Sequence, residues 1–177
     1  MSKHYTLLLL LLILLALPGI GQNDSSVLAK HDSIYQQRIK KEKLFGVYIP
    51  TDLGDAFAQL NKLISPESKN KFKRVPEATA VKKLHFSFGR WMIYNWQFEE
   101  GSRFSHYLRK LGLFDPDDMA RFVMTTYHRT LNKKPLEVKA LLEDIRTNRE
   151  RLKRERLRKG EVISKSVRKV EKPKTGN

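Results

Sequence analysis

The chain has 177 residues, no cysteine, 35 Lys and Arg against 19 Asp and Glu, and a formal net charge of +16. Without cysteine there is no disulfide framework, no thiolate metal site and no acylated cysteine anchor, so stability must come from a noncovalent core. The length provides one domain with material left over for flexible ends.

In chain order, one charge at Lys3 leads into an apolar run from Leu7 to Leu17. Such a run rises only about 16 Å as a helix, far short of a hydrocarbon layer about 30 Å thick. Pro18 and Gly19 break it, and Gly19-Ile20-Gly21 places small residues beside a cut before Gln22. Residues 1–21 therefore read as a cleaved signal peptide, which implies an exported protein, periplasmic or secreted after cleavage near Gly21.

Residues 22–43 are polar, lack a sustained apolar stripe and read as a linker with at most one weak helix. The domain is expected over 44–146. LFGVYIP, residues 44–50, is extended in character, and Pro50 keeps Ile49 out of the helical region. Thr51 serves as an N-cap, and Leu53, Ala56, Phe57, Leu60, Leu63 and Ile64 form one helical face. Ser65-Pro66 restarts a short helix, in which Lys69 to Arg74 reads as too basic to be buried.

Pro76 opens the next helix, where Val81, Leu84, His85, Phe88, Trp91 and Met92 keep near-helical spacing toward Trp96. Gly89 inside that helix costs about 1 kcal/mol relative to Ala, which predicts a close backbone approach, by another helix in the ordinary case. Ser102 caps a helix striped by Phe104, Tyr107, Leu108 and Leu111 and stopped at Gly112. In FDPDDM, Asp115 is the cap, Pro116 the first helical residue, and Asp117 and Asp118 sit where the helix dipole favours carboxylates. Met119, Phe122, Val123, Thr126 and Tyr127 face inward from this helix, and Asn132 closes it. A last helix from about Leu136 passes Leu141, Leu142 and Ile145 and enters RTNRERLKRERLRKG, where Leu152 and Leu157 are too few to anchor it. The tail, 147–177, is read as helical and then disordered beyond Gly160. The fold class is all-α: a single compact multi-helix domain with a short extended segment at its start and a basic tail.

Several stretches read together, YIPTDLGDAFAQLNKLI, HFSFGRWMIYNW, GSRFSHYLRKLGLFDPDDM and YHRTLN, resemble a bacterial domain-of-unknown-function family. That family's pattern runs Ile-Pro-x-Asp-Leu, His-Phe-Gly-x-Gly-x-Trp-x-Arg-Asn-x-Trp, Gly-Ser-Arg-Leu, His-Pro-Asp-Asp-Met and Arg-x-Leu-Asn. The resemblance spans 48 to about 132 and implies a domain boundary rather than a particular chemistry. Ser87 stands at the family's first glycine, Ile93 and Tyr94 at its Arg-Asn pair, and Phe114 at its histidine. The polar residues it carries over are His85, Asn95, Arg103, Asp117, Asp118, His128 and Arg129.

The stretch HFSFGRWMIYNWQFEEGSRF, residues 85–104, is read first as a packing centre, because aromatic side chains prefer cores. Five positions apart, Trp91 and Trp96 point differently, one to the core and one to a surface groove. The binding candidates are Trp96, Arg103, Asn95 and Arg129, since aromatic and Arg side chains are the commonest anchors at interfaces. An alternative polar cluster of His85, Asp117, Asp118 and His128 has the residue types for acid–base or metal-dependent hydrolysis, provided that the two histidines converge. No metal-ligand spacing, phosphate loop or nucleophile elbow accompanies it, so no metal and no cofactor is expected.

Positive charge concentrates at the end. From Arg146 to Asn177 there are 13 Lys or Arg against 4 Glu, whereas Leu84 to Asn132 has 6 against 5 acidic residues. Such a tail suits nucleic acid, but export directs it instead to a protein or an anionic envelope component. The expectation is therefore an exported, non-enzymatic α-helical interaction module, with the hydrolase and nucleic-acid readings as alternatives.

Overall fold

The computed structural model describes residues 22–159. The expected signal peptide and the stretch past Gly160 lie outside the described residues. Helix α1 (Gln22–Arg38) leads to a hairpin of β1 (Lys43–Leu44) and β2 (Val47–Tyr48), followed by α2 (Leu53–Leu63), α3 (Pro66–Arg74) and α4 (Glu77–Leu84). A π-helical turn (His85–Gly89) continues directly into α5 (Arg90–Asn95), and α6 (Arg103–Lys110), α7 (Pro116–Leu131) and α8 (Val138–Lys159) complete the order. The domain is compact and mostly α-helical, with the hairpin as the only sheet among the described residues.

Helix α7 is the axis of the fold. Every residue from Asp118 to His128 except Arg121 is buried. A helix apolar on all sides needs neighbours on all sides, and α3, α4, the π-turn, α5 and α8 all pack against it. Thr125 and Thr126 lie within this buried stretch, and Thr126 satisfies its hydroxyl on the carbonyls of Phe122 and Val123. Tyr127 is fully buried with its hydroxyl donated to Asn61, and burial pushes that hydroxyl's pKa up to about 12.

Caps set where the helices around this axis begin. Asp115 accepts from the Asp117 and Asp118 N–H groups, with Pro116 at the first helical position. Ser102 and Ser105 bond reciprocally at the start of α6. Ser65 caps α3. At α2 the cap is Asp52 rather than the expected Thr51, since a carboxylate satisfies the Asp55 N–H and leaves Thr51 to bond the Asp55 side chain.

Three local features depart from the sequence reading. LFGVYIP is not one extended run: Phe45 and Gly46, at φ 51° and 79°, make a two-residue hairpin turn that pairs Lys43 with Tyr48 and Leu44 with Val47. Within the Lys69–Arg74 stretch, Phe72 is buried, because α3 turns that one side chain onto Tyr127, Phe88 and His128 while its lysines face outward. The helix through His85 is interrupted by the π-turn, whose extra residue rotates the following segment. Phe86 is left 86 % exposed while Met92 and Ile93 turn fully inward.

The two flanks carry contacts that local patterns do not show. In the segment 22–43, α1 is the one helix, seventeen residues long, and its last turn is tied to the domain by Arg38, which donates to the Gly101 carbonyl and to Gln97. Tyr35 bonds His106, and its ring lies so close to Gly101 that a Cβ there would sit 2.5 Å away. Past the boundary at 146, α8 runs on to Lys159 without a break. Arg149, beyond that boundary, pairs with Asp115 and Asp118 at the start of α7.

Candidate functional site

Of the four binding candidates, Trp96 is corrected most clearly. Its exposure is 1 %, and its ring meets Phe104 edge-on at 5.3 Å and Trp91 at 5.7 Å. Helix α5 ends at Asn95, so Trp96 sits on the turn that folds the chain back under α6. Of the two tryptophans, read as one in the core and one toward a surface groove, Trp91 is the one only partly buried. The aromatic stretch is a packing centre.

Arg103 stands beside that centre, with its Nη2 buried and without a hydrogen-bond partner among the described residues. It donates to the Ile49 carbonyl at 2.6 Å and lies over the Tyr48 ring at 5.0 Å, which ties α6 to the hairpin. Tyr48 in turn donates to Asp55. Burial pushes the Asp55 carboxyl up, but bonds from the Thr51 N–H and the Tyr48 hydroxyl outweigh it and hold the group below its ordinary value. Asn95 is turned back onto the Trp91 carbonyl one helical turn earlier. Arg129 grips Glu77 with two nitrogens and also donates to the Leu136 carbonyl, which joins α7, α4 and the start of the last connection. The bond to Glu77 raises the Arg129 pKa further. Arg103 and Arg129 thus hold elements together, whereas Asn95 bonds within its own helix.

The alternative cluster divides into two. His85 meets Asp117 at 3.0 Å, with Arg90 at 4.0 Å from the same oxygen, so the π-turn is pinned to the first turn of α7. His128 lies eleven positions further along that helix, roughly 16 Å by its rise. There it is 3 % exposed, bonded to the Val75 carbonyl and packed edge-on against Phe72. The two histidines do not share a site. Asp118 is likewise committed to Arg149. Among the described residues, no three His, Cys, Asp or Glu side chains gather where they could hold a metal ion.

What sequence reasoning did not find is a groove of about 830 Å³ between the first turn of α7 and the outer half of α8. Its walls carry Asp115, Asp117 and Asp118 from one side and Asn148, Arg149, Lys153 and Arg156 from the other, with Arg121 between them. Leu152 and Leu157, 43 % and 72 % exposed, lie along it. Arg149 holds the walls together, with its charge favoured by Asp118 and Asp115 despite partial burial. By contrast, Arg121, Lys153 and Arg156 pair with no carboxylate among the described residues. The spacing 149, 153, 156 was visible as one helical face; its apposition to Asp115 and Asp118 was not.

Fold and site together define a mostly α-helical domain organised around one buried helix, with polar side chains spent on packing and a charged groove at one end. Residues 49–131 match the family described as Domain of unknown function (DUF6794), and this stretch is such a domain. The match begins one residue later and ends one residue earlier than the span read from the motifs. No curated protein and no solved structure matches the chain. Among the described residues no helix is long and apolar enough to cross a membrane.

Proposed function

We propose that this is an exported, non-enzymatic interaction module that recognises an acidic segment of a partner protein in the cell envelope. The observation that carries the reading is the groove between α7 and α8, where three cations without acidic partners flank two exposed leucines. Cations of this kind speed encounter with an acidic partner, and exposed leucines supply the apolar contact that charge alone lacks. Export rests on the apolar run Leu7–Leu17 and the small residues before Gln22.

Hydrolysis is the weaker reading. His85 and Asp117 form a pair, but Asp117 is 53 % exposed, and His85 does not line the α7–α8 groove that Asp117 borders. Catalysis needs a base and its partners gathered around one reacting atom in a cleft that holds the substrate.

The test is capture from envelope extract by the chain as purified, compared with two charge reversals of equal size. One is Arg121→Glu with Lys153→Glu and Arg156→Glu; the other is Lys40→Glu with Lys41→Glu and Lys43→Glu, near the hairpin. Loss of a captured protein in the first alone is the expected result. Equal loss in both would reduce the interaction to net charge, and retention in both would overturn the reading.

A further inference from the structure

Apart from the α7–α8 groove, with which they share no lining residue, two adjoining hollows of about 190 and 300 Å³ run between α3 and the α4–π-turn segment. They share Ser68, Phe72 and Leu84 and so adjoin along those residues. Small-molecule sites occupy roughly 300–1,000 Å³ and are mostly apolar with a few placed polar groups. The floor here fits that description. Phe72 lies at its centre, Ile64 and Phe88 at one end and Val75 at the other, each partly or wholly buried against the core. Tyr127, fully buried with its hydroxyl donated to Asn61, backs the groove from beneath Phe72.

The rim has one sign of charge. Lys69, Lys71 and Lys83 border the floor, and among the described residues none of them pairs with a carboxylate. The nearest acid on α4, Glu77, is held by Arg129. Lys69 reaches only a carbonyl, that of Asn61 at 3.1 Å. An apolar trough with cations along its edge complements a molecule with an apolar chain and an anionic end. Neither a peptide strand, for which no sheet edge is offered, nor a neutral apolar ligand, which leaves the lysines unused, matches as well.

We infer that the groove between α3 and α4 binds a free, single-chain anionic amphiphile of the fatty-acid class, with its chain over Phe72 and its carboxylate at Lys71 and Lys83. This site is separate from the α7–α8 groove and does not depend on it.

The experiment is calorimetric titration of the full chain with hexanoate, octanoate, decanoate and dodecanoate, each kept below its micelle-forming concentration. Decyltrimethylammonium and vesicles of anionic phospholipid serve as the alternative probes. The site predicts saturable binding that tightens about threefold to fourfold for each added methylene until the floor is covered. Decanoate should be preferred over the ammonium amphiphile of equal length. Ser68→Phe, a change at an exposed position that fills the junction of the two hollows, should weaken decanoate binding at least about tenfold. Lys71→Glu with Lys83→Glu, also exposed, should abolish the preference for the carboxylate while chain-length dependence persists. Thermal melts of both variants confirm that the fold is kept. No saturable binding, equal binding of both head groups, or binding to vesicles alone would each overturn the inference.

Discussion

Trp96 is where the residue types could be read and their direction could not. An aromatic among Arg and Asn suits an anchor at an interface, yet this ring is enclosed by Phe98, Phe104 and Trp91. Trp96→Ala should therefore cost about 3–5 kcal/mol of stability, read as a lowered denaturation midpoint. An unchanged midpoint would return the residue to the surface. Asp55 supports a second prediction at this scale. Its folded pKa lies below the ordinary 3.8, so the stability it contributes is complete above that unfolded value and is lost as pH falls through the folded one. The difference in melting temperature between the wild type and Asp55→Asn should accordingly be full at neutral pH and shrink in acid below about pH 4. A difference that grows on acidification would contradict the sign. Arg103, Arg129 and His128 teach the same lesson: their partners are 54, 52 and 53 positions away in the chain, a distance no local pattern encodes.

At the scale of elements, the sequence was legible wherever a short-range rule governed. Ser65-Pro66, Ser102 and Asp115-Pro116 begin their helices as read, because a cap acts within three residues of itself. The hairpin was missed because it is two residues per strand, too short for alternation to appear. The π-turn was missed because one inserted residue leaves near-helical spacing almost intact. Gly89 explains itself only in that turn: a Cβ would meet His85 Nδ1 at 3.1 Å and the Met124 sulfur at 3.4 Å. The close approach expected at this glycine thus comes from α7 and from the histidine four residues earlier. Gly89→Ala should destabilise by about 1–3 kcal/mol despite the better helix propensity of alanine. Combining it with His85→Ala should cost less than the sum of the two changes, since the ring that is struck has been removed. Strict additivity in a double-mutant cycle would contradict this account of the turn.

For the whole molecule, the helical class and the family span follow from periodicity and motif order, which a single chain displays in full. Docking of the two ends does not. Helix α1 is held by Tyr35 and Arg38 and α8 by Arg149, contacts that only the folded arrangement creates. The tail is basic by composition, but what gives that charge a direction is the pairing of Arg149 with Asp115 and Asp118, which lays Lys153 and Arg156 beside α7. On the proposed function, this end of the molecule is the working surface. The decisive measurement is hydrogen exchange of the chain alone and with an acidic polypeptide, poly-glutamate. Exchange should slow within residues 115–121 and 148–157 and stay unchanged in 90–104; protection of the aromatic stretch instead, or of no segment at all, would rule out the groove as the binding surface.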